Sequence, residues 1–230
     1  MDIEKIINEI DALDIEILYK LKERKEFNTN TNLYKFVYED ATGITPQSIL
    51  SELEKNLYDF EKQNKYLYRD NIVKPYFREF KDTANKETLS ALNSSLNDIN
   101  FNQHIKMNYI NFLYDLCAYG INEDNNTKIV NIDIDILLLL SKRVHIGITL
   151  LKAKFLQNPD LYTKLTRETR DIYINYFLRD YSYESNYICK LLEKAKEITL
   201  DETLIYQYYK MFIIPMFIEV QYNYLTKLNL

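Results

Sequence analysis

From Ile3 onward apolar residues return every three or four positions, at Ile6, Ile10, Leu13, Ile17 and Leu21. That period predicts one long amphipathic helix to about Phe27. The polar run Asn28–Asn32 interrupts it, and a short apolar piece, Leu33–Tyr38, follows. After Gly43, the pair Thr45-Pro46 opens a second helix, Thr at the cap and Pro in the first turn, running to about Lys62. A polar connector leads to Ile72–Phe80, and residues 81–104 are polar, with one helix expected near Thr88–Leu96. A further helix is expected from about His104 to Tyr119, ending at Gly120. The tract Asn122–Lys128, NEDNNTK, is the expected boundary between two halves, 1–120 and 130–230, of a single domain.

The densest apolar stretch follows. A helix from about Ile132 to Gln157, stopped by Asn158-Pro159, is apolar on most of its surface and is expected to be buried nearly all round. It nevertheless carries Arg143 and Lys154. Eleven residues apart, they project from one face about 16 Å apart along the axis, with Gly147 and Leu150 between them. Buried cations require anionic partners. The pattern suggests a hollow with a cation at each end, suited to a small anionic molecule. DLYTKLTRET (160–169) is read as a surface segment before a helix or helix pair from Arg167 to Ile198. Thr199 with Glu202 reads as a capping box. The last helix runs to about Leu228, and Pro215 is expected to kink it.

The central stretch has an echo. DIEILYKLKER (14–24) and DIDILLLLSKR (133–143) agree at six of eleven positions, including the bracketing Asp and Arg, and Lys35 stands where Lys154 does. An offset of 119 residues in 230 suggests a duplicated helical unit of about half the chain.

Composition narrows the class. Three Gly and four Pro argue for long helices over a turn-rich β fold, so the fold class is all-α: a fused, internally duplicated helical bundle. A net charge of −5, with no basic block, argues against a nucleic-acid partner. The apolar runs are too short to span a bilayer, and the acidic N-terminus is neither a signal nor a transit peptide. A cytoplasmic location follows as the expectation. Cys117 and Cys189 lack metal or redox spacing, and no phosphate loop or Ser/His/Asp order appears. His145, beside the buried face, reads as a hydrogen-bonded packing residue.

Three polar positions are candidates for chemistry beyond the two cations. Asp180 and Glu184 are i,i+4 and share a helix face. On an open surface they carry no meaning; facing a cationic hollow they could accept from a hydroxyl. Gln221, in the apolar run IIPMFIEVQYNYL (213–225), either caps a local network or reaches a ligand.

LLSKRVHIGITLLKAKF, then DLYTKL and IYQYYKMFIIPMFIEVQYNYL, resemble the all-helical chorismate mutases of fungi and plants. That family shows Ser-Arg-Arg-Ile-His-x-Gly leading to Ala-Lys-Phe, then Pro-Leu-Tyr-Thr-Lys-Leu and a Tyr-Lys-x-x-x-x-Pro helix. The likeness is detailed over 130–228 and loose over 1–118. It implies conversion of chorismate to prephenate by an intramolecular Claisen rearrangement, with no cofactor and no metal, in phenylalanine and tyrosine biosynthesis. By position, Arg143 would bind a carboxylate, and Lys154 a carboxylate and the ether oxygen. Glu184, helped by Asp180, would accept from the ring hydroxyl, and Gln221 would donate to the ether oxygen. A homodimer through the N-terminal half is implied as well.

Two positions depart from the family pattern. Ile7 stands where the family has an Arg on the first helix, and Phe217 where it has Thr or Ser. Arg179, beside Asp180, is a candidate to compensate. The positions aligned with the fungal effector site, Glu61-Lys62 and Thr127-Lys128, give no support for control by tryptophan or tyrosine. The alternatives are a catalytically weak or inactive relative that binds a ligand or regulates a partner, and a helical interaction protein with no small-molecule site.

Overall fold

The computed structural model describes residues 2–34, 99–168 and 171–227. The helices expected after Thr45-Pro46 and near Thr88–Leu96, the segment Ile72–Phe80, and the Glu61-Lys62 pair lie outside the described residues. Helix α1 spans Ile3–Lys25, and Asp2 caps it by accepting from the Glu4 N–H at 3.0 Å. A 3₁₀ turn, Thr31–Leu33, follows. Then come α2 (Asn102–Leu116), α3 (Asn126–Gln157), α4 (Pro159–Glu168), α5 (Asp171–Leu178), α6 (Tyr181–Glu197), α7 (Glu202–Tyr208) and α8 (Ile214–Lys227). Every regular element among the described residues is helical.

Helix α3 is the axis of the molecule. Between Ile136 and Leu151 only Lys142 is exposed, because α1, α2 and α8 all pack on it. The α1 pairing is antiparallel. Asp14 meets Arg143, Lys20 meets Asp135 and Arg24 meets Asp133, so one helix ascends as the other descends. His145 is a packing residue, as expected. Its Nδ1 lies 2.8 Å from the Ser141 carbonyl, and Nε2 accepts from the Phe101 N–H at 3.1 Å.

Three expectations are corrected. The tract at 122–128 is only partly a connector: Glu123–Asn125 form a 3₁₀ turn, and Asn126–Lys128 already belong to α3. The surface segment after Pro159 is helix α4, since Pro preorganises a first turn and Asn158 Oδ1 accepts from the Leu161 N–H. Thr199 is no N-cap. It sits at φ 64° just after α6, and Leu200 N–H reaches back to the Ala195 carbonyl, closing a Schellman-type end. The cap of α7 is Asp201, whose Oδ1 accepts from the Thr203 and Leu204 N–H groups. Before Pro215, which can donate no N–H, the chain widens into one π turn at Tyr209–Ile213, closed by Ile214 N–H to the Tyr209 carbonyl.

Candidate active site

Arg143, Lys154, Asp180, Glu184 and Gln221 all line one cavity of about 190 Å³. Helix α3 supplies the two cations, the start of α6 the carboxylates, and α8 the amide. Apolar side chains complete the wall, among them Ile7 and Ile10 from α1 and Leu150, Phe217 and Ile218.

Arg143 is buried, and most of its guanidinium is committed to protein. Nε lies 2.9 and 2.8 Å from the two Asp14 oxygens, and Nη2 donates to the Tyr187 hydroxyl at 3.1 Å. Tyr187 in turn donates to Asp14, and Tyr209 does so at 3.0 Å. The guanidinium carbon sits 4.8 Å from the Phe217 ring centre and 5.6 Å from that of Tyr187. Nη1 is buried and has no partner among the described residues. Burial by itself would lower the pKa of Arg143, but the Asp14 charge and Tyr187 outweigh it, so the group is held protonated.

The matching arginine of the repeated sequence motif, Arg24, differs at this point. Arg24 gives Nε to Asp133 at 2.8 Å, Nη1 to the Asn28 carbonyl at 2.9 Å, and Nη2 to the Thr29 carbonyl and Tyr34 hydroxyl at 3.2 and 3.0 Å. Tyr34 and Tyr109 each donate to Asp133 at 2.6 Å. All three nitrogens are occupied, leaving no donor for a ligand. Lys35 lies outside the described residues.

Lys154 is half-buried. Burial lowers its pKa, and the nearby Asp180 offsets part of that. Asp180 caps α6, its Oδ1 accepting from the Tyr183 N–H at 2.9 Å. Glu184 is gripped at both oxygens by Arg179, each bond 2.9 Å, and Lys210 Nζ lies 3.7 Å from Oε2. Gln221 is 1% exposed; Nε2 donates to the Phe217 carbonyl at 3.2 Å, and Oε1 has no protein partner.

The hollow expected at Gly147 is filled. A Cβ there would stand 2.9 Å from the Phe217 carbonyl oxygen and 3.2 Å from Gln221 Cγ. Gly147 therefore lets α8 close on α3 and carries Phe217 and Gln221 to the cavity; it does not line the cavity itself. Asp14, Tyr187, Tyr209 and Lys210 were missed by the sequence reading. Asp14 had left a signal, for it falls on the apolar stripe of α1 between Ile10 and Ile17, where an uncompensated carboxylate would be costly.

A model of type II chorismate mutases matches residues 125–222. The chorismate mutase of Schizosaccharomyces pombe is 27% identical, the alignment covering 98% of this chain and 95% of that protein. Over nearly its whole length this chain is similar to fungal and plant chorismate mutases. Chorismate mutase 2 of Petunia hybrida is 26% identical, over 92% of this chain and 87% of that one. Solved structures share the fold of this chain. The Candida albicans enzyme in complex with L-Trp gives a TM-score of 0.79 at 22% identity, covering 98% of this chain and 90% of that one. The chloroplast enzyme of Zea mays gives 0.79 at 22% identity, covering 100% and 96%.

Proposed function

We propose that the protein is a chorismate mutase, an isomerase that converts chorismate to prephenate by an intramolecular Claisen rearrangement. The observation that carries this reading is the convergence of Arg143, Lys154, Glu184 and Gln221 on one cavity. The substrate has two carboxylates, and its breaking ether bond builds negative charge on oxygen. A catalyst needs cations that hold the compact conformer and donors aimed at that oxygen.

In this reading each residue has a part. Arg143 meets a carboxylate through Nη1 alone, because Asp14 and Tyr187 hold its other nitrogens. Fixing the guanidinium in this way means that little side-chain freedom is lost on binding. Lys154 reaches a carboxylate and the ether oxygen. Gln221 keeps one amide hydrogen beyond the bond to Phe217 and donates it to the same oxygen. Glu184 accepts from the ring hydroxyl, with Asp180 beside it. The two sequence halves form one duplicated domain with one site, and Arg24 is the structural remnant of the other.

Tyrosine and phenylalanine biosynthesis is the corresponding pathway, and a cytoplasmic homodimer through the N-terminal half is the proposed state. No described helix is long and apolar enough to cross a membrane, which fits that location. The decisive experiment mixes purified protein with chorismate and follows loss of chorismate absorbance, with prephenate confirmed as product. Tight binding without turnover would instead establish a ligand-binding relative.

A further inference from the structure

Two cations gather on the single carboxylate of Glu184. Arg179 engages both oxygens in fork geometry, and Lys210 approaches Oε2 from the π turn. Arg179 stands at the rim: its side chain is 25% exposed, and it lines a second depression that shares Ile218 with the main cavity.

A count of charges shows why this surplus matters. Among the described residues the cations lining the cavity are Arg143 and Lys154, against the carboxylates of Asp180 and Glu184, with Asp14 directly behind Arg143. These five groups sum to a net negative charge of one, and a dianionic ligand among them would be repelled. Helix α1 contributes only Ile7 and Ile10 to the lining. Adding Arg179 and Lys210 brings the balance to a net positive charge of one. Binding of a dicarboxylate, on which the proposed function rests, therefore depends on the pair of cations around Glu184.

We propose that Arg179 is a substrate-binding residue that hands over from Glu184 to the second carboxylate of the ligand, while Lys210 stays as the counter-ion of Glu184. The fork of a guanidinium fits either carboxylate equally, so the exchange replaces one charged pair of hydrogen bonds with another. It also frees Glu184 Oε1, whose protein partner is Arg179 Nε, to accept from the ring hydroxyl. A lysine at 179 would supply charge without the fork.

The test is calorimetric titration with a stable bridged-ether dicarboxylate that mimics the rearrangement's transition state, alongside kcat and KM for chorismate. Arg179→Gln should weaken analogue binding roughly 10- to 100-fold and raise KM more than it lowers kcat. Arg179→Lys should recover part of the loss. The discriminating measurement repeats Arg179→Gln in a Glu184→Gln background, where a group that touches the ligand still weakens binding at least fivefold. No further loss in that background would show that Arg179 acts only through Glu184, and would overturn the proposal. So would unchanged binding in the single variant. A wild-type chain that turns over chorismate yet shows either result leaves the functional reading standing; one that binds no dicarboxylate overturns both.

Discussion

Asp14 on the first helix holds Arg143 on the central helix, and 119 residues on, Asp133 holds Arg24 in return. Each half of the repeated motif supplies the carboxylate for the other half's guanidinium. Two tyrosine hydroxyls donate to each carboxylate, Tyr187 and Tyr209 at Asp14, Tyr34 and Tyr109 at Asp133. The reciprocity ties the antiparallel helices at two points, and among the described residues Arg143 Nη1 is left without a partner.

Removing one charge from such a pair leaves the other buried and unpaired. Asp14→Asn should therefore cost about 3–5 kcal/mol of stability, read as a lowered urea midpoint at unchanged slope. Asp133→Asn should do the same from the far end of the pairing. A loss below about 1 kcal/mol, the range of exposed pairs, would mean that the carboxylate is not the counter-ion.

Gly147→Ala tests how closely α8 must approach. The added Cβ meets a backbone oxygen, Phe217 O, at 2.9 Å, and a helix backbone cannot yield as a side-chain tip can. Overpacking of this kind costs about 1–3 kcal/mol. Since Phe217 and Gln221 ride on the displaced helix, kcat should fall together with the melting temperature. Full activity at an unchanged melting temperature would show that the two helices have room to spare.

The pH profile turns on Gln221 and Lys154. An amide donates at every pH, so the chemical step should be nearly flat from about pH 5.5 to 8, clear of the reference carboxylate range. Burial lowers the pKa of Lys154 from its ordinary 10.5. As pH rises through that lowered value the ammonium loses its proton and its hold on the carboxylate, so kcat/KM should fall earlier than an ordinary lysine would dictate. Gln221→Glu should add a second alkaline limb at lower pH, because an ionised carboxylate repels the developing oxyanion. A wild-type rate that already falls steeply between about pH 5.5 and 7.5 would remove Gln221 as the donor.

Titration with a transition-state analogue should give one site per chain. Arg24 has all three nitrogens bound within the protein, whereas Arg143 keeps one in reserve. Two equivalent sites per chain would contradict this asymmetry.

Sequence by itself determined most of the described helices and five of the polar residues that line the cavity, Arg143, Lys154, Asp180, Glu184 and Gln221. The period of Ile6, Ile10, Leu13 and Ile17 fixed the buried face of α1, and helical spacing put Arg143 and Lys154 on one side of α3. Such patterns are local, set by the 3.6-residue turn and by which side chains water rejects. What the tertiary structure decided are the contacts between distant segments. Asp14 and Arg143 are 129 residues apart, and only the antiparallel packing of α1 on α3 makes one the counter-ion of the other. Gly147 read as a hollow because its own helix leaves space there; α8, some seventy residues later, fills it with Phe217. Thr199 and Asp201 both carry a side-chain oxygen suited to capping. The left-handed turn at Thr199 gave the cap to Asp201, because the chain must leave α6 before it can begin α7.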